Sequence, residues 1–236
     1  TSDTAILSVL NGISSEAIIE EQLQNGKVIK CVAQGMDALK INNQVSYANF
    51  GEICLGITDE EKEKQEALSR VIDFFEYTHC PYTIETDINF RLWGKWMLNI
   101  GVNQVVMIYQ GTYDSIQKPG EARDLMKAAM QEVMEVAHAS NINLSHDHLE
   151  NYIKLMDSLN PQSMPSMRQD GLAKRKSEVD LFSGALIDKA KLLNKSVPIN
   201  EYLYKTIKDM ESRKKYVIYL YSTHQHPLWM WCIKRD

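Results

Sequence analysis

Within residues 91–108, RLWGKWMLNIGVNQVVMI, nearly every position is apolar, and the polar exceptions include Lys95, Asn99 and Asn103. Their spacing is i, i+4, i+8. On a helix turning about 100° per residue each step drifts by only about 40°, so the three side chains run along one polar stripe of an otherwise apolar cylinder. Taking an ammonium or a carboxamide out of water costs on the order of several kcal/mol unless a partner is supplied. Two readings satisfy that condition. In one, Lys95 snorkels along apolar surface to solvent and the two amides bridge neighbouring helices. In the other, the stripe lines a polar cleft in which Lys95 donates a proton and Asn99 and Asn103 orient a small polar ligand.

A second group lies in MPSMRQDGLAKRKSEVDLFSGALIDKAKLL. Ser166 and Gln169 form an S-x-x-Q pattern that predicts a capping box at the start of a helix running to about residue 194. Ser166 is then either a plain cap or, because free amides at a helix N-terminus attract anions, the holder of a carboxylate-bearing ligand. Leu172, Val179, Phe182, Leu186, Ala190 and Leu193 mark the expected apolar seam, and Glu178 stands three turns from the cap, beside that seam. A helical Glu is either solvated or, given partners, a site acid. Asn11 follows the apolar run ILSVL, where it serves an Asn-Gly turn or lines the ligand crevice beyond the carboxyl end of a strand.

Positioning these residues requires two kinds of element. The run Ala5 to Leu10 predicts a buried strand stopped by Asn11-Gly12. A helix of about ten residues follows in EAIIEEQLQNG, with Ala17, Ile18 and Leu23 expected inward. KVIKCVAQ and QVSYANFGEICLG, around the turn Asn42-Asn43, predict strands. Thr58-Asp59-Glu60-Glu61 opens a helix through ALSRVIDFFEY, and PYTIE predicts a last strand. From about Asp87 the pattern is helical, at roughly 88–109, 120–140, 145–158, 166–194 and 198–221. The expected fold is an α/β part over residues 1–86 followed by an all-α part over 87–236. An α/β layer that opens directly on a buried strand has an unprotected edge, so the domain is expected to begin upstream of residue 1.

Composition excludes several classes of function. The 236 residues carry 26 Lys+Arg against 31 Asp+Glu, a net charge of −5, which provides no sequence-wide basic field for nucleic acid. No apolar run approaches the roughly 18–20 residues that span a bilayer, and TSDTAILSVLNG lacks a signal-peptide layout. A soluble cytoplasmic protein with no membrane partner is expected. Cys31, Cys54, Cys80 and Cys232 lie far apart with no CxxC pair, so reduced thiols are expected, with no metal. In the tail, His224 and His226 lack a third ligand, and Trp229, Met230 and Trp231 are expected to pack on a helix or at a subunit contact.

The stretches SVLNGISSE, ANFGEICLG, RLWGKWMLNIGVNQV and MPSMRQDGLAKRKSEVDLFSGALIDKAKLLNKSVPINEYLYKTIKDME together resemble the ketopantoate reductase (2-dehydropantoate 2-reductase) family. The resemblance implies a remnant of a Rossmann domain over residues 1–86 and a helical substrate and dimerisation domain over 87–236, similar to the C-terminal domain of 6-phosphogluconate dehydrogenase. It implies NADPH-dependent reduction of 2-dehydropantoate, or a related small 2-keto acid, to the 2-hydroxy acid, as in pantothenate biosynthesis, and leaves room for a homodimer. Carried over by motif, Lys95 is the general acid. Asn99 and Asn103 bind the substrate, Ser166 holds its carboxylate, and Glu178 sits at the substrate and cofactor ribose. Asn11 lies between nicotinamide and substrate, and Ala38 falls at a cofactor backbone contact.

Two departures stand out. Tyr113 occupies a place where the family often has a further substrate-binding Asn, and no G-x-G-x-x-G pyrophosphate turn occurs in the sequence, so this chain by itself is expected to bind NADPH poorly. The rival readings are a catalytically inactive fragment that persists as a helical association domain, and a reductase of a different keto or imino acid.

Overall fold

A computed structural model describes residues 4–23, 27–37, 39–41, 43–58 and 62–222, the side chains of 39–41 and 213–222 excepted. The α/β part contains β1 (Ile6–Leu7), α1 (Ser15–Leu23), β2 (Val28–Gln34), a hairpin of β3 (Leu39–Ile41) and β4 (Gln44–Ser46), β5 (Glu52–Gly56), α2 (Lys62–Thr78) and β6 (Tyr82–Ile84). The main sheet runs β1-β2-β5-β6, parallel at β1/β2 and β5/β6 and antiparallel at β2/β5. The period of two in a strand divides its side chains between two faces. Ile29, Cys31 and Leu55 pack under Ala67, Val71 and Phe75 of α2. Val32 and Cys54, on the other face, meet Ile88 and Leu92 at the start of the next helix.

That helix is α3 (Ile88–Ile108), capped by Asp87, whose carboxylate accepts from the Phe90 amide at 2.9 Å. After it come α4 (Asp114–Gln117), α5 (Glu121–Ala139), α6 (His146–Asp157), α7 (Ser166–Leu172), a π-helical turn at Asp180–Gly184, α8 (Ala185–Leu192) and α9 (Pro198–Ser222). α3 is the axis of the helical part. Trp96, Met97, Ile100, Val105 and Met107 are buried on it among residues of α5 to α9. It crosses α5 at Gly101, where a Cβ would lie 2.5 Å from Met130 Cγ and 3.1 Å from the Met126 carbonyl oxygen. Alanine there exchanges about 1 kcal/mol of helix propensity against a comparable clash. Gly101→Val should instead force the helices apart and cost about 2–3 kcal/mol, read in a thermal melt as a midpoint lower by at least about 4 °C. An unchanged midpoint would show that the crossing is not close-packed.

Several expectations need correction. The strand expected over Ala5 to Leu10 is only two residues long, and Val9 and Leu10 are exposed, because β1 pairs with β2 alone among the described strands. On α1, Ala17, Ile18 and Leu23 face solvent and Glu16 is buried. At 100° per residue positions 17, 18 and 23 do not share a face, so no inward stripe existed. The segment QVSYANFGEICLG is two strands separated at Gly51, with β4 paired to β3 rather than to the main sheet. The continuous helix expected over 166–194 breaks after α7, where Lys174 takes a left-handed conformation (φ 57°), and resumes at the π-turn. Leu172 is therefore exposed, while Val179, Phe182, Leu186 and Ala190 are buried as the seam required. Residues 59–61, Ala38 and the tail from 223, with His224, His226, Trp229, Met230, Trp231 and Cys232, lie outside the described residues.

Candidate active site

Three remote pieces of chain meet beside α3. The first is the turn after β1. Gly12 holds φ 108°, a left-handed conformation that glycine adopts without a steric penalty, and a Cβ there would lie 3.5 Å from the Leu181 carbonyl oxygen. This aims Asn11 at Glu178. Asn11 Nδ2 lies 3.2 and 3.1 Å from the two carboxylate oxygens of Glu178, and Asn99 Nδ2 donates to Asn11 Oδ1 at 3.5 Å.

The second piece is the loop ahead of the π-turn. The Gly184 amide reaches back five residues to the Val179 carbonyl, and the extra residue in this turn shifts the register of the side chains around it. Trp96 Nε1 donates to the Leu181 carbonyl at 2.9 Å, tying the turn to α3. Asp180 accepts from Tyr204 Oη at 2.9 Å and from Lys208 Nζ at 3.2 Å, tying it to α9. Ser183 Oγ donates to Asn200 Oδ1 at 2.7 Å within the core. The turn after Glu178 is thus fixed to both α3 and α9.

The third piece is the α3 stripe. Lys95 does not snorkel into bulk water: its Nζ donates to the Ala33 carbonyl of β2. Burial pushes its pKa below the ordinary lysine range, and the Glu178 carboxylate opposes that shift. Burial likewise raises Glu178, against the Asn11 hydrogen bond and the Lys95 charge. Ammonium and carboxylate therefore sense one another across the cluster. Buried thiols lie nearby: burial pushes Cys31 up to about 12 and Cys54 up to about 11, so both stay protonated at neutral pH.

Not every expected residue joins the cluster. Asn103 is buried one turn beyond Asn99, on the same stripe. Ser166 is exposed at the first position of α7; the N-cap is Pro165, and no side chain caps this helix. The expected capping box is absent because Gln169 Nε2 turns instead to the Met164 carbonyl at 3.2 Å. Among the residues that escaped sequence reasoning are Glu52, Arg91, Leu98, Tyr152 and Leu155, which line a cleft of about 540 Å³ beside Lys95. Arg91, one step before Lys95 at i−4, was legible as an extension of the stripe. Among the described residues no His, Cys, Asp and Glu grouping fits a metal, and no helix is long and apolar enough to cross a membrane.

A partial Rossmann sheet joined to a helical domain is an arrangement shared with solved reductases and dehydrogenases. The structure of a PanE/ApbA family ketopantoate reductase from Ralstonia eutropha JMP134 superposes with a TM-score of 0.78 at 20% identity, over 91% of this chain and 69% of that one. The ternary structure of D-mandelate dehydrogenase with NADH and anilino(oxo)acetate gives 0.78 at 23% identity, over 90% and 69%. These likenesses establish the fold. Residues 87–211 match the family described as ketopantoate reductase PanE/ApbA C terminal, and the chain belongs to the ketopantoate reductase family. A 2-dehydropantoate 2-reductase of Vibrio cholerae is 26% identical over 210 residues, covering 89% of this chain and 69% of that protein.

Proposed function

We propose that the protein reduces the ketone of 2-dehydropantoate, or of a related 2-keto acid, to the 2-hydroxy acid with NADPH. The observation that carries this reading is the convergence of Lys95, Asn11, Asn99 and Glu178 from three separate parts of the chain. In this reading residues 1–86 form the cofactor side and 87–236 the substrate side. The residues present fit the nicotinamide end of such a cofactor, since an amide and a carboxylate meet just past the carboxyl end of β1. Asn11 and Glu178 would hold the nicotinamide and ribose there, with Ala38 as a backbone contact. No comparable holder for the pyrophosphate occurs among the described residues, and the sequence contains no G-x-G-x-x-G turn.

When bound, NADPH supplies hydride to the ketone carbon. The remaining work falls to the chain. Reduction builds negative charge on the ketone oxygen, and an ammonium within hydrogen-bond reach stabilises that charge more in the transition state than in the ground state. Lys95 Nζ is the proton donor. Burial makes it a stronger acid than an ordinary lysine, while Glu178 keeps it protonated in the resting site. Asn99 and Asn103 orient the substrate's polar groups, its carboxylate among them, and Ser166, exposed at the start of α7, is the further carboxylate contact that the family resemblance implies.

The test is consumption of NADPH by the protein carrying this chain, with a panel of 2-keto acids and identification of the product. A 2-hydroxy acid is the expected product. No consumption with any acid would favour the inactive association-domain reading. A specific observation favours a second substrate reading: Tyr113, where an Asn would serve pantoate, packs its ring against the helical core. A keto acid other than 2-dehydropantoate is consistent with that, and with the likeness to D-mandelate dehydrogenase.

A further inference from the structure

The cleft beside Lys95 has a composition of its own. One wall is α3, where Arg91, Lys95 and Leu98 lie at i, i+4 and i+7 and so share a face. Tyr152 and Leu155 of α6 form the second wall, and Glu52 at the start of β5 stands on the third. The Asn99 and Asn103 side chains are rotated away from this face by a further 40° or so per step, on the far side of Lys95. Lys95 is therefore the border between an amide-lined region and this cleft.

A 2-keto acid has a trigonal carbon bearing oxygen, carboxylate and side chain about 120° apart. With the oxygen on Lys95 and the carboxylate toward the amides, the remaining substituent points into the cleft. We propose that the cleft is a side-chain subsite that selects 2-keto acids bearing an aryl group. This rests on the reductase reading and names its substrate class. Leu98, Leu155 and the ring of Tyr152 offer apolar surface. The Arg91 guanidinium, pinned through Nε to Glu85 at 2.7 Å, presents a planar cation suited to stacking on a ring. A volume of about 540 Å³ exceeds what a methyl group requires and lies in the range of organic-ligand pockets. Glu52 disfavours a second carboxylate. It accepts hydrogen bonds from Thr83 at 2.7 Å and Gln34 at 2.9 Å, which hold its carboxyl below the usual range and keep it ionised.

The test is calorimetry on the protein with phenylpyruvate, pyruvate and 2-oxoglutarate, each with and without NADPH. Phenylpyruvate should bind at least about tenfold more tightly than pyruvate, as burial of a phenyl group implies, and 2-oxoglutarate more weakly than phenylpyruvate. Leu155→Glu, at a half-exposed position that should fold normally, should cut the aryl preference to about threefold or less. Leu192→Glu, on the exposed side of α8, should keep it. Equal binding of phenylpyruvate and pyruvate, both weakened by Lys95→Ala, would overturn the subsite and leave the reductase reading standing. Aryl preference that survives Leu155→Glu would overturn the location. Absence of binding by all three acids under both conditions would overturn the reductase reading and the subsite with it.

Discussion

Lys95→Ala should lower kcat for keto-acid reduction by about a thousandfold, the middle of the range for a general acid. The protein should stay folded. The ammonium sits where burial disfavours its charge, so the folded state binds that proton less tightly than the unfolded chain does. Folding stability then rises with pH between the folded and the unfolded pKa of Lys95, the reverse of what a salt-bridged lysine produces. Lys95→Met, which removes the charge and keeps the stem, should leave the thermal midpoint unchanged or raised while turnover is lost. A lysine kept for structure alone would give the opposite, a lower midpoint with turnover retained. The pH profile provides a separate check. In the proposed reaction the proton comes from Nζ, so the rate should fall as pH rises through a value below the ordinary lysine range. Glu178→Gln, which removes the carboxylate that supports the ammonium, should move this alkaline limb to lower pH. Turnover unaffected by Lys95→Ala would remove Lys95 from the chemistry.

Glu132→Ala should be the most destabilising single change in the helical core, by about 3–5 kcal/mol. α9 begins with Pro198, and the residue before it, Val197, has no side-chain oxygen to cap the helix. Glu132 of α5 supplies the cap from outside. Its carboxylate accepts from the Ile199 amide at 2.8 Å, the Asn200 amide at 2.9 Å and Asn200 Nδ2 at 2.8 Å. Removing it takes the acceptor from two backbone amides at the positive end of a helix dipole, while Asn200 Nδ2 keeps only the Ala129 carbonyl at 3.2 Å. The damage should also reach the site. Asn200 Oδ1 accepts from Ser183 in the π-turn, and that turn begins two residues after Glu178. Glu132→Gln, which keeps one good acceptor, should lose about half as much. Thermal or denaturant unfolding measures both, and a loss below about 1 kcal/mol for the alanine variant would show that water replaces the cap.

Legibility in the sequence followed physical range. The α3 stripe was readable because i, i+4 spacing is a local property of one helix, and Lys95, Asn99 and Asn103 lie along α3 as that spacing required. The helices α5, α6 and α9 were legible for the same reason, and so were β2, α2 and β6. The Ser166 cap does not form because Pro165 takes the cap position and Gln169 bonds Met164. Arg91 carries a signal in its i−4 position relative to Lys95. Tyr152 and Leu155 carried none, since nothing in a sequence brings α6 alongside α3.

What the amino-acid order determined by itself is which residues are polar within apolar surroundings, and hence which ones need partners. Who those partners are was decided only in three dimensions. Asn11 and Glu178 are 167 positions apart, and their pairing depends on the turn at Gly12, the break after α7 and the packing of Trp96 on Leu181. Local pattern sets the demand for a partner through desolvation, whereas its supply depends on long-range packing, which no spacing along the chain encodes.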